Sequence, residues 1–145
     1  MDRREMLLGA GAIALAAATQ TAFAEDHAHH HGGGAAKNQK LMDASTACVQ
    51  KGQACLHHTL YLLGQGDKEM GACAISVNQM MAACAALEQL ARYESKHLAK
   101  QAKVAMEICR DCEAECRKHA KKHNECKNCA DACAACMNEC KTLAV

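Results

Sequence analysis

At 145 residues the chain is about one domain long, and a formal net charge of +1 gives it no field that would draw nucleic acid or an anionic membrane surface. It carries 12 cysteines beside a single Phe, two Tyr and no Trp, so a conventional core of large aliphatic and aromatic side chains is hard to assemble. The absence of Pro, with the Ala, Lys, Glu, Gln and Met content, predicts helix throughout.

Residues 1–24 read as a targeting segment. Arg3-Arg4 precede an apolar run from Met6 to about Ala18, too short to span a bilayer, and Ala22-Phe23-Ala24 has the small-x-small form of a cleavage site. The paired arginines resemble a twin-arginine export signal, which predicts a periplasmic protein; a general secretory signal that happens to carry two arginines is the alternative. The twin-arginine route carries folded proteins, which suits a chain loaded with metal in the reducing cytosol. Residues 25–36 include His27, His29, His30, His31 and the triplet Gly32-Gly33-Gly34. They read as a flexible tail, whose histidines either pick up metal weakly or are simply solvated.

From Lys37 onward four helices are expected. The first runs to about Leu63 and stops at Gly64-Gln65-Gly66, with Gly64 as its cap. The second starts near Asp67, a good N-cap, and ends about Arg92. The third follows Ser95 and runs to about Lys122; the fourth follows Asn124 and ends about Thr142. Connections this short place consecutive helices antiparallel, so residues 37–145 are predicted to form an all-α, up-down-up-down four-helix bundle.

The cysteines follow the same period. Cys126, Cys129, Cys133, Cys136 and Cys140 step by three and four along the fourth helix, the stripe that Leu, Ile and Val normally fill. Cys109, Cys112 and Cys116 repeat the rhythm on the third helix. Cys48 and Cys55 are two turns apart on the first, and Cys73 and Cys84 are about three turns apart on the second, with Val77 and Met80 between them. All twelve thiols can face one shared interior.

Several chemistries compete for such a core. Buried Cys often serves as a small hydrophobe, but twelve of them bury little apolar area compared with Leu. A disulfide framework suits an exported chain, and cross-helix bridges stay open. Helical neighbours, with Cβ atoms about 5–6 Å apart, do not meet the roughly 3.5–4.5 Å a bridge wants. The spacing of Cys126, Cys129, Cys133 and Cys136 has a superficial likeness to a ferredoxin cluster, whose ligands come from loops and usually end in Pro. Zinc needs four ligands per ion, and a long ladder of thiols does not divide naturally into tetrahedra. Cu(I) is soft, prefers thiolate and tolerates low coordination numbers, so each sulfur can serve two ions. Multiple Cu(I) ions per chain are the best fit.

These residues resemble the bacterial copper storage proteins, Cys-rich four-helix bundles with an exported branch. The likeness covers about Leu41 to Val145 and rests on Met70-Gly71-Ala72-Cys73, Ala82-Ala83-Cys84, Cys109-x2-Cys112-x3-Cys116 and the five-cysteine fourth helix. It implies Cu(I) storage in the bundle lumen without catalysis, a homotetramer, and His58 and Met70 as ligands near the mouth. A copper-requiring enzyme would be the recipient. One departure stands out: Thr59 occupies the position four residues after Cys55 where the family has a further thiol. Cys55 is therefore expected to lack its helical partner, and a copper site there to be lost or to recruit His58.

The topology gathers His57, His58, Met70, Cys73, His119, His123 and Cys126 at one end of the bundle and Leu41, Leu90, Leu98 and Leu143 at the other. The first end is expected to be a doorway, since thioether and imidazole hold Cu(I) more loosely than thiolates do. His119 and His123, among Lys118, Lys121 and Lys122, are expected to be mainly solvated, and Met80, Met81, Met106 and Met137 to be packing residues. No nucleophile–base pair or phosphate-binding loop stands out. A disulfide-bonded or thiol-redox protein, and a chaperone carrying a single copper ion, remain the alternatives to storage.

Overall fold

The structure, a computed structural model, describes residues 37–143; the export segment (1–24) and the His/Gly-rich segment (25–36) lie outside the described residues. Four helices follow in order: α1 (Gln39–Gly64), α2 (Met70–Arg92), α3 (Leu98–His119) and α4 (Asn124–Lys141). Each packs against its two neighbours in a ring, α1 on α2, α2 on α3, α3 on α4 and α4 on α1. The expected four-helix bundle is the observed one.

The helix ends correct two details. Gly64 is still helical, and the left-handed residue is Gly66 at φ 93°. The Gly66 amide donates to Leu63 O and the Asp67 amide to Leu62 O, the paired bonds of a Schellman cap that only a left-handed residue allows. Asp67 heads a turn instead of capping α2: its carboxylate accepts from the Glu69 amide at 3.1 Å, and the helix starts at Met70. The end of α2 repeats the motif, with Ser95 donating to Leu90 O and Glu94 to Ala91 O. Here the left-handed residue is Glu94 at φ 47°, where no glycine relieves the backbone.

The interior is unevenly furnished. All twelve cysteines have no solvent exposure, while among the described residues the branched aliphatics buried with them are only Leu41, Val77, Leu87 and Leu98. Val77, Met80 and Leu87 come from α2, whereas α3 and α4 bury almost nothing but Cys and Ala. By length and composition α2 is apolar enough to cross a membrane, and here it serves as the core helix of the bundle. It comes close to α1 at Gly52, where a Cβ would stand 2.6 Å from Met81 Cγ and 2.9 Å from Met80 Cε. A glycine inside a helix costs about 1 kcal/mol against Ala, and this close approach is what it permits.

Candidate metal centre

Each helix brings its thiols inward because the steps of three and four keep them on one face. In the assembled bundle the sulfurs meet mainly across helices. Cys73 and Cys116 stand 3.6 Å apart, Cys84 and Cys109 3.6 Å, Cys55 and Cys126 3.8 Å, and Cys112 and Cys129 4.0 Å. All twelve are free thiols.

Among the described residues four groups of thiols have all their sulfurs within 4.8 Å of one another. Cys48, Cys84, Cys109 and Cys136 form one layer, with a single sulfur from each helix. The other three are linked: Cys55, Cys73 and Cys126 share Cys55 with Cys55, Cys116 and Cys129, which share Cys129 with Cys112, Cys129 and Cys133. Cys140 continues the line past Cys136, whose hydrogen bond is the chief influence on it. With metal–sulfur bonds of about 2.3 Å, two sulfurs on one ion stand about 3.8 Å apart in tetrahedral, 4.0 Å in trigonal and 4.6 Å in linear coordination. The Cys55–Cys126 and Cys112–Cys129 spacings fall in that range, and the two 3.6 Å spacings fall about 0.2 Å short of it.

Cys55 has no thiol partner four residues onward in α1, where Thr59 stands, but across helices it belongs to two thiol groups through α2, α3 and α4. Thr59, fully buried, turns its hydroxyl to Leu56 O at 3.0 Å, while His58 joins none of the thiol groups. Single-helix spacing shows only partners on the same helix, and cross-helix neighbours carry no signal in it.

Hydrogen bonds between sulfurs divide the thiols by acidity. Cys55 is lowered to about 5, chiefly by Cys116, and Cys109 to about 5, chiefly by Cys133. Cys112 is lowered chiefly by Cys116, and Cys136 chiefly by Cys109. Cys48 and Cys84 are raised chiefly by Cys109, Cys116 and Cys129 chiefly by Cys112, and Cys133 chiefly by Cys109, with burial adding to each. Cys126 is pushed up to about 12: its bond with Cys55 pulls it down, but Cys73, burial and the Glu125 charge outweigh that. Thiols pushed toward keeping their protons thus stand beside thiols pushed toward losing them, and soft cations would replace the protons that are kept.

The two ends of the bundle differ as the sequence suggests. Met70, only 2% exposed, lines a cavity of about 450 Å³ with Asp67, Glu69, His119, Lys122 and His123. His58 lies beside this mouth with its Nε2 2.9 Å from His123 Nδ1 and 3.8 Å from Glu125 Oε2. His123 is therefore not simply solvated; the sequence places it at this end without a partner and gives no sign of Glu125. At the opposite end Leu41 and Leu98 are buried, and Leu143 lies beside both. Met80 is fully buried and Met81, Met106 and Met137 pack against the core, as expected of packing residues.

The family model for copper storage protein matches residues 34–145. The chain belongs to the copper storage protein family. Among solved structures it is similar to apo copper storage protein 3 from Bacillus subtilis at 23% identity and a TM-score of 0.66, covering 74% of this chain and 99% of that one. It is likewise similar to the Cu(I)-bound copper storage protein BsCsp3, at 23% identity and a TM-score of 0.69, covering 75% of this chain and 99% of that one. At that identity these likenesses show the fold shared within the family. No curated protein matches the chain in sequence.

Proposed function

We propose that this protein stores many Cu(I) ions on the thiolates of its bundle lumen, binding and releasing them without a catalytic step. The observation that carries this reading is the linkage of fully buried thiols into groups that share members, because a shared sulfur serves two ions. A carrier for one ion needs two or three thiols; here twelve are shielded from water. Cys48, Cys55, Cys73, Cys84, Cys109, Cys112, Cys116, Cys126, Cys129, Cys133, Cys136 and Cys140 would be the ligands. Met70 and His58 would take part in transfer at the mouth, supported by the cavity that Met70 lines and the place of His58 beside it.

In this reading the protein is exported through its twin-arginine-type segment, is periplasmic, assembles as a homotetramer and supplies a copper-requiring enzyme. The Arg3-Arg4 pair and the family resemblance support those steps.

Replacing Cys109, Cys112 and Cys116 together with Ala touches three of the four thiol groups and leaves only that of Cys55, Cys73 and Cys126 intact, so several ions should be lost at once. Cu(I) counted per chain after anaerobic loading and desalting reads this directly. A full load in the triple variant would contradict storage in the lumen.

A further inference from the structure

The cavity at the mouth is built from two unlike sides. Asp67, Glu69 and Met70 line it from the α1–α2 turn and the start of α2, and Glu115, Lys118 and Lys122 from the end of α3 and the turn after it. Lys118 and Glu115 neutralise each other at 2.6 Å. Among the described residues Asp67, Glu69 and Lys122 make no ion pair. One side thus offers two uncompensated carboxylates and the other an uncompensated ammonium, around a volume of about 450 Å³. Building on storage in the lumen with transfer at Met70, we propose that this cleft binds the carrier that brings the copper. That carrier is a low-molecular-weight thiol with an α-amino acid headgroup, a free amino acid or a short peptide, holding Cu(I) on its sulfur.

A zwitterion matches such a lining. Its ammonium pairs with Asp67 or Glu69 and its carboxylate with Lys122, each contact having charge on both partners. The volume is that of a small-ligand pocket, roughly 300–1,000 Å³, and does not hold a folded carrier domain. Met70 is only 2% exposed, so copper reaches its thioether on a ligand small enough to enter. The carrier group is a thiol because soft Cu(I) prefers thiolate.

The route inward is short. Cys73 stands one helical turn beyond Met70, and its sulfur lies within 4.8 Å of those of Cys55 and Cys126. Cu(I) tolerates two or three sulfurs, so it can gain one before it loses another. A bond forms to Met70 and then to Cys73, and the bond to the carrier's sulfur breaks. The proton of the Cys73 thiol leaves on that sulfur, and no electron changes hands.

The test follows anaerobic Cu(I) transfer into the full chain from complexes with cysteine, with glutathione and, as an uncharged control, with 2-mercaptoethanol. Copper held by the protein is counted after rapid desalting at intervals. Transfer from at least one zwitterionic carrier should saturate with its concentration, and the lower half-saturating concentration tells the amino acid from the peptide. S-methylcysteine and S-methylglutathione, which keep the headgroup and lack the thiol, should compete with it. Lys122→Gln and Glu69→Gln, both at exposed positions, should each lower the ratio of zwitterionic to uncharged transfer rates by about threefold. An equal ratio in the parent and both variants, or no competition by the S-methyl compounds, would overturn the proposal. The final copper count reads storage separately. A low count in the parent would contradict the lumen, whereas a full count with unaltered ratios would contradict the cleft alone.

Discussion

At the end where α1 turns into α2 and α3 into α4, the bundle presents Met70, paired imidazoles and a charged cavity, whereas at the other end Leu41, Leu98 and Leu143 close over the core. Between them runs a lumen lined by thiols. A buried Leu contributes about 1.5–3 kcal/mol through removal of its surface from water, and a thiol contributes less. The closed end and the α2 wall therefore carry much of the apolar stability, leaving the lumen and mouth free to be specialised for metal. Cargo capacity and fold stability are placed in different residues.

The largest expected effect that tests this division is at the closed end. Leu98→Ala should cost about 2–5 kcal/mol in denaturant unfolding of the metal-free protein, through lost burial and a residual cavity. The copper count of the folded variant should stay unchanged. A count that fell in step with stability would show that the two ends are not separable.

An intermediate effect lies in the lumen itself. Cys55 and Cys109, whose pKa is lowered to about 5, should release few protons when Cu(I) binds there. Cys48, Cys84, Cys116, Cys129 and Cys133 are raised, and each must give up a proton to become a ligand. Affinity should therefore fall with pH, by up to about tenfold per pH unit for each proton released, in chelator competition between about pH 8 and pH 6. A flat profile would mean that the lumen is already deprotonated.

The smallest effect returns to the closed end. Glu94 holds the left-handed position of the cap ending α2, and its exposed pair with Lys37 at 3.5 Å adds little. Glu94→Gly should raise stability by about 1 kcal/mol, seen as a higher melting temperature of the metal-free protein. No gain would mean that the Lys37 pair offsets the backbone strain.

Much of this was legible in the sequence because helical period is local. The steps of three and four in α3 and α4 place the thiols inside, and all of them are. The glycine that ends α1 was placed two residues early, since Gly64 and Gly66 look alike in sequence and only the backbone shows which one is left-handed. The groups of thiols were not legible, because the layer of Cys48, Cys84, Cys109 and Cys136 depends on how four helices register against one another. Nor was the link from His58 to His123, whose partners are separated by 65 residues and are met only once α1 and α4 pack. Their equal offsets from Cys55 and Cys126 were the one available clue.

The central claim is tested most directly by an anaerobic Cu(I) titration of the reduced protein against a competing chromogenic chelator. Storage in the lumen predicts uptake near one ion per thiol, about twelve per chain. Uptake that stops at about two ions or fewer would contradict it, and would point to a single-ion carrier or a disulfide-bonded protein.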